Sequence, residues 1–465
     1  MPEKYHIHTH PEAPRFRIEG KLGIVDWRED CASCQNCVKK GCVYDIYKEE
    51  TTALHEERGY LDYIYKCKGC LTCVQNCTKN ILTRVVNTEY ERLGDDYYKP
   101  EILLTTWFQA ETGSIPVSGC GYGGPFSGPG FDSMWTDMSE IVRPTRDGIH
   151  GREYINTSVD IGRKLNHLSF NDGELDVKSP PIISSPLPLM FAELPVNWLR
   201  GSVPGILANV AKNLGLFSIV RENEIGDQDA SMVNTVIPLL NNGSNGDSFV
   251  DSPMVIIPDS PDVLNTVESL KNAKAERIVA VRVMASPSVA GRVVSLVGAG
   301  VEVVNLVHDR SGREDAPDSP RHVRDVVRDV HGALLKAGTR DEMTLISSGG
   351  IALPEHMTKA VICGADLVTI DIPLLLAIEC RLCGECEHGN PCSIRLEETE
   401  KEYGTQRVTN LMGTWHNQLL EMMGAMGIRE ARRLRGETGR CMFVEDLEKQ
   451  AFGRLFGKRK TDYVI

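Results

Sequence analysis

The stretch Met343-Thr344-Leu345-Ile346-Ser347-Ser348-Gly349-Gly350-Ile351-Ala352-Leu353-Pro354 reads as a strand, a double glycine and a helix opened by proline. A second strand, Asp366-Leu367-Val368-Thr369-Ile370, follows that helix. Short apolar β-branched runs suit strands buried on both faces, and proline suits the first position of a helix. Glycine admits positive φ and close backbone approach. The N–H groups of the turn, together with the helix amino terminus, therefore suit an anion such as a phosphate, which a side chain at Gly350 would obstruct.

The same alternation extends towards the amino terminus. Strands are expected at Pro181–Leu189, Leu216–Val220, Met254–Ile257, Arg277–Met284 and Val301–Val307, with a weaker one around Val233–Leu240. Ser260 with Pro261, and Ser319 with Pro320, read as helix starts. After the second, Val323, Val326, Val327, Val330 and Leu334 fall on one helical face that Gly338 can end. Strands alternating with helices at this length predict an α/β fold, a (β/α)8 TIM-type barrel with its chemistry at the carboxyl ends of the strands. The Gly349-Gly350 loop then follows the seventh strand, a usual place for phosphate.

The 465-residue chain is 41% hydrophobic and 25% charged, enough for several folded domains with real cores. A net charge of −13 speaks against a nucleic-acid or anionic-membrane partner. The richest apolar stretch, Pro180 to Leu199, is interrupted by prolines and carries Glu193, so no membrane span is expected. The polar start is unlike a secretory signal, and a cytoplasmic location is expected. His6, His8 and His10 alternate there and read as a polar tail rather than a metal site. Residues 401–460 hold twelve Lys or Arg against seven Asp or Glu, either a docking face for an acidic electron carrier or a solvated helical face.

Fifteen cysteines are present, eight of them between Cys31 and Cys77 and four between Cys380 and Cys392. Such clustering points to metal thiolate sites rather than a disulfide framework, while Cys120, Cys363 and Cys441 read as buried small residues. The runs Cys31, Cys34, Cys37 and Cys67, Cys70, Cys73, each followed by a fourth cysteine at Cys42 and Cys77, resemble two-cluster ferredoxins. The resemblance implies one 4Fe-4S cluster on Cys31, Cys34, Cys37 and Cys77, and a second on Cys67, Cys70, Cys73 and Cys42. Neither fourth cysteine precedes the usual proline, and four residues separate Cys37 from Cys42. A pair of structural zinc sites is the competing reading, weakened by the third cysteine in each run.

Further motifs are 141–152 (IVRPTRDGIHGR), Pro186-Leu187-Pro188-Leu189-Met190-Phe191, the Gly349-Gly350 loop, Leu411-Met412-Gly413 and Arg432-Arg433-Leu434-Arg435-Gly436-Glu437. Through them, most of residues 140–447 resembles the FMN-binding domain of the glutamate synthase family, in the short form with an amino-terminal ferredoxin module. The resemblance implies FMN held by Pro188, Arg282, Ser348, Gly349, Gly350, Ile351, Thr369 and Ile370, and a third cluster after the last strand. Cys380, Cys383, Cys386 and Cys392 supply four thiolates there. The family's usual 3Fe-4S site has three, so 4Fe-4S is expected, with 3Fe-4S and then zinc as alternatives.

Arg282 stands where the family has a lysine near the flavin, keeping the charge but not the shape. His308 and Asp309 match the family's loop after the next strand, but Arg310 and Arg313 fall within a segment where the family is rich in glycine. Arg282, His308 and Asp309 are the candidate catalytic residues. Arg310 and Arg313 are either carboxylate ligands or solvated charges. Three segments follow: 1–90, a ferredoxin-like α+β iron–sulfur module; 91–179, a Gly/Pro-rich connecting segment packed on the barrel; and 180–465, the FMN barrel with its cluster loop and carboxyl-terminal helices. Within the second, 117–130 is either a tether or a fixed loop over a ligand.

The resemblance implies an oxidoreductase passing electrons between 4Fe-4S clusters and FMN to reduce an imine-type or related small substrate. The alternatives are a non-catalytic electron-transfer subunit of a larger redox complex that has lost its substrate pocket and, behind it, a redox sensor. Expected partners are ferredoxin or an NAD(P)H-oxidising flavoprotein subunit, in a hetero-oligomer. Because Met1-Pro2-Glu3 has no amino-terminal cysteine nucleophile, ammonia is expected free or from a separate glutaminase.

Overall fold

Eight parallel strands close into a barrel: β1 (Leu189–Phe191), β2 (Ser218–Arg221), β3 (Val236–Leu239), β4 (Met254–Pro258), β5 (Ile278–Met284), β6 (Val303–Val307), β7 (Thr344–Ser348) and β8 (Leu367–Ile370), with β8 paired back to β1. The computed structural model describes residues 5–16, 22–23, 34, 36, 72–81, 85–86, 88–115, 128–136, 155–164, 170–175, 180–195, 198, 201–225, 234–244, 246–249 and 251–456. Cys31, Cys37, Cys42, Cys67, Cys70 and Cys120 and the motif at 141–152 lie outside these residues, as does most of the glycine-rich stretch at 117–130.

Among the described residues, the α-helices are α1 (Pro100–Thr112), α2 (Val203–Leu214), α3 (Val263–Ala273), α4 (Val289–Gly298), α5 (Val323–Lys336), α6 (Pro354–Cys363), α7 (Ile372–Ala377) and α8 (Lys401–Met426); shorter helices at Thr72–Gln75 and Thr88–Glu91 and a last one at Val444–Phe456 complete the set. The weakly marked strand exists as β3. The apolar face read for α5 is fully buried at Val323, Val326, Val327, Val330 and Leu334, each such side chain stabilising the fold by roughly 1.5–3 kcal/mol through burial.

Local boundaries shift for physical reasons. Pro181–Leu189 is not one strand: Ile182–Ser185 pairs antiparallel with Val159–Gly162, and the barrel strand begins at Leu189. Pro186 and Pro188 lack the N–H a ladder needs and interrupt the run between the two. The Val159–Gly162 strand plugs the amino-terminal end of the barrel, where Thr344 Oγ1 accepts from Gly162 N–H (3.1 Å) and donates to the Gly162 carbonyl (2.9 Å). Ser319 does not cap α5; it turns the chain at φ 50°. His322 caps instead, its Nδ1 accepting from Arg324 N–H (3.3 Å). Asp262, not Ser260, precedes α3, because Val263 N–H first closes a turn on the Ser260 carbonyl (3.2 Å).

Residues 5–16 are a packed strap rather than a loose tail, and they lie on the barrel's outer helices although the sequence boundaries group them with the amino-terminal module. Tyr5 and Ile7 pack against the core while His6 and His8 alternate outward. Asn410 of α8 fixes the strap: its Nδ2 donates to the carbonyls of His10 (2.8 Å), Ala110 (2.9 Å) and Glu111 (3.3 Å). Arg407, buried in the same helix, donates to the carbonyls of Ala377, Glu12 and Trp107. Part of the basic excess in the carboxyl-terminal region is thus structural: Arg407 is internal, Arg432 pairs with Asp160 and Arg435 with Asp366.

Asn410→Ala should remove the side-chain donor from the His10 and Ala110 carbonyls, while Glu111 keeps the N–H of Glu12, and destabilise the protein by about 2 kcal/mol. Urea denaturation measures this, and limited proteolysis should show faster cleavage within residues 5–16. Unchanged stability would show that the strap contributes nothing.

Candidate active site at the barrel mouth

The turn after β7 is built by two glycines in the left-handed region, Gly349 at φ 91° and Gly350 at φ 74°. A Cβ on Gly349 would lie 2.5 Å from the Asp309 carbonyl oxygen, and one on Gly350 would lie 2.7 Å from Gly312 N. The glycines are therefore required first by the loop after β6, which packs directly on this turn. This corrects the expectation that a side chain at Gly350 would obstruct only a bound anion. Tyr97 Oη holds the turn from behind by donating to the Gly350 carbonyl (2.7 Å). Among the described residues, no acceptor takes the N–H of Gly349, Gly350 or Ile351. Gly350 and Ile351 are buried. Consecutive unpaired donors ahead of α6 form a cradle that fits a phosphate group.

Strand alternation puts Arg282, Asn305, Ser348 and Thr369 on the interior face of the barrel. Thr369 Oγ1 donates to Ser348 Oγ (2.8 Å), which donates to Asn305 Oδ1 (2.6 Å). Asn305 Nδ2 is a buried donor without a partner among the described residues. Arg282 reaches from β5 across to Glu193, just after β1, and the two form an ion pair. Met284, two residues beyond Arg282 on the same face, is 54% exposed and gives the mouth an apolar surface. Asp371, after β8, caps α7 by accepting from Ile372 N–H (2.6 Å), and burial pushes its carboxyl up to about 6.

His308 is buried, with Nδ1 3.1 Å from the Ser348 carbonyl. A carbonyl only accepts, so the bond places the proton on Nδ1 and leaves Nε2 as an acceptor, for which the described residues offer no donor. Burial lowers the imidazole to about 4. Asp309, by contrast, is exposed, and its Oδ1 accepts from the N–H groups of Ser311 (2.9 Å) and Arg313 (2.7 Å), organising its own loop. Arg313 donates to the Pro320 carbonyl (3.1 Å), and Arg310 binds Asp95 and Glu387.

Beyond β8, Cys380, Cys383, Cys386 and Cys392 line one cavity of about 200 Å³, shared with Trp198, Arg310 and Asp95. Burial pushes the Cys380 thiol up to about 12, and its neighbours Cys392, Cys386 and Cys383 add to the rise. A positively charged metal centre would relieve this crowding of thiolates. Among the described residues no three His, Cys, Asp or Glu side chains converge on a single ion. The four cysteines line one cavity instead, and four thiolates are the ligand set that a four-iron cluster takes.

The mouth thus brings together Arg282, His308, Asp309, Ser348, Gly349, Gly350, Ile351 and Thr369 with the third cysteine set. It does not bring in Pro188, whose carbonyl accepts from Val368 N–H (3.0 Å) at the start of β1, nor Ile370, which alternates to the outer face of β8. Of the amino-terminal cysteines expected as ligands, Cys34, Cys73 and Cys77 are described; Cys34 Sγ lies 3.9 Å from Thr78 Oγ1, beside Cys77. Sequence reasoning missed Glu193, Asn305 and Tyr97. Asn305 was legible as a lone polar residue in the run Val303-Val304-Asn305-Leu306-Val307, whereas Tyr97 carried no signal.

Residues 244–429 match the family model for the conserved region in glutamate synthase. An archaeal-type glutamate synthase (NADPH) of Dehalococcoides mccartyi is 25% identical, over 89% of this chain and 93% of its own. An archaeal glutamate synthase (NADPH) of Archaeoglobus fulgidus is also 25% identical, over 96% and 98%. The similarity to these two enzymes runs along nearly the whole length of each. Among solved structures, a mandelate oxidase variant with a monooxide FMN adduct aligns over 64% of this chain and 90% of its own, at 14% identity and a TM-score of 0.38.

His308 titrates near 6.5 when unfolded and about 4 when folded. The unfolded chain therefore binds more protons between these values, and stability present above pH 6.5 is lost as pH falls towards 4. His308→Gln should flatten that part of the dependence in urea denaturation at stepped pH. An unaltered slope would place His308 in contact with water.

Proposed function

We propose that the chain is an iron–sulfur flavoprotein oxidoreductase of the glutamate synthase type, passing electrons between 4Fe-4S clusters and FMN to reduce an imine-type or related small substrate. The supporting observation is that one end of the barrel carries both the unpaired N–H row at Gly349–Ile351 and the four-cysteine cavity. Bound there, FMN would supply conversion between single electrons and a two-electron hydride equivalent. The chain's part is to hold the phosphate at Gly349, Gly350 and Ile351, to present Ser348, Thr369 and Asn305 within the mouth, and to keep His308 neutral with Nε2 free to accept a hydrogen bond. Cys380, Cys383, Cys386 and Cys392 hold the third cluster. The contact of Cys34 with Thr78 favours the crossed ligand sets of the amino-terminal module. The names of the relatives support NADPH as the ultimate reductant, delivered by a partner flavoprotein or a ferredoxin.

A specific observation favours a second reading, the electron-transfer subunit. Three cations around the mouth are paired internally: Arg282 with Glu193, Arg292 with Asp259, Arg221 with Glu224. A dicarboxylic substrate bound by any of these would have to displace its partner, and Arg313 in the loop after β6 is left as a cation held, among the described residues, only by a carbonyl. The deciding assay supplies 2-oxoglutarate, ammonia and reduced ferredoxin under anaerobic conditions. Glutamate formation is expected; flavin reduction without product would leave the electron-transfer reading standing.

Three four-iron clusters and one FMN per chain are expected in anaerobically isolated protein, and stoichiometric zinc with little iron would end this reading. Gly350→Val should lose FMN while retaining iron, and should also lower the melting temperature because the loop after β6 is pushed away. Full flavin retention would misplace the phosphate. Cys383→Ser should keep FMN yet slow flavin reduction by reduced ferredoxin in stopped flow. Equal rates, with loss of the third cluster verified by EPR, would show that electrons bypass it.

A further inference from the structure

Arg310 occupies the loop after β6 in a segment where glycines were expected, and its guanidinium joins three other parts of the chain. Nη2 donates to Asp95 Oδ2 (2.7 Å) and Nη1 to Glu387 Oε1 (3.1 Å), while the group lies 5.8 Å from the centre of the Trp198 ring. Asp95 belongs to the segment before α1, Glu387 directly follows Cys386, and Trp198 lies between β1 and α2. All four residues line the cavity of Cys380, Cys383, Cys386 and Cys392. The indole N–H of Trp198 is buried and has no acceptor among the described residues, a second sign of a site built for a group bearing acceptor atoms.

We propose that Arg310 is a positioning residue for the third cluster, holding the cluster loop against the loop after β6 and setting the reduction potential of the cluster. This rests on the reading of the four-cysteine cavity as an iron–sulfur site. The charges lining that cavity are Asp95, Glu385, Glu387 and Glu397 against Arg310 and Arg381. Reduction adds a negative charge to the cluster, so every uncompensated carboxylate nearby opposes it. Glu387 is placed by its neighbour Cys386. Asp95 is held independently, since its Oδ1 accepts from the N–H groups of Tyr97 (2.8 Å) and Tyr98 (2.7 Å). Both carboxylates therefore stay when Arg310 is removed. The same loop packs on Gly349 and Gly350, so Arg310 also ties the cluster to the turn proposed for the flavin phosphate.

The test is an anaerobic EPR-monitored redox titration of the full holoprotein, with iron and flavin counted beforehand, for wild type, Arg310→Gln, Arg310→Lys and Arg313→Gln. Arg310→Gln should keep FMN and show a third-cluster potential shifted to more negative values, or lose that cluster selectively. Arg310→Lys keeps the charge but not the two-ended fork, and should shift it by less. Arg313→Gln, whose charge lies outside the cavity lining, should leave it unchanged. Equal potentials in wild type and both Arg310 variants overturn the proposal, as does an equal shift in Arg313→Gln. A wild-type protein without a third cluster by EPR and iron count refutes the cofactor reading instead.

Discussion

Closure of the barrel depends on three residues. Leu189, Met190 and Phe191 pair with Val368, Thr369 and Ile370 on one side, and Phe191 pairs with Ser218 on the other. Prolines before this strand keep it short, so the chain emerges at Ala192 and delivers Glu193 to the mouth. A parallel ladder satisfies its backbone groups only with partners on both sides, so without this strand β2 and β8 would present unpaired edges. The meeting of Glu193 with Arg282, and of Trp198 with the four-cysteine loop, follows from that closure.

At the mouth, backbone packing and electrostatics are joined. The turn after β7 and the loop after β6 touch through glycine backbone, which leaves the N–H row at Gly349–Ile351 unpaired while fixing its direction. Around it, guanidinium groups are compensated by carboxylates from other loops, as in Arg282 with Glu193 and Arg310 with Asp95 and Glu387. Such pairs, partly screened from water, add less to stability than to geometry. They determine which charges a cofactor or substrate meets.

The outer layer follows the same logic of polar satisfaction. The strap at residues 5–16 and helix α1 expose backbone carbonyls that Asn410 and Arg407 take up from α8. The alternating histidines at the amino terminus had suggested a loose tail. Their alternation is instead that of an extended segment laid on an apolar surface, with Tyr5 and Ile7 directed inward.

The sequence by itself determined the alternation of strands and helices, the double-glycine turn and the grouping of thiols, because periodicity, glycine conformation and ligand spacing are local properties of the chain. Even Val233–Leu240, weakly patterned, was recoverable from the count an eightfold barrel requires. The break at Pro186 and Pro188 was also written locally, though a continuous apolar run concealed it. Tertiary structure alone decided that Arg282 meets Glu193, 89 residues away, and that Arg310 meets Asp95, 215 residues away. It likewise decided that Ile370 faces the helices and that Gly350 is needed for Gly312. Each of these depends on which strands and loops become neighbours when the barrel closes, a property of the assembled ladder that no single segment carries.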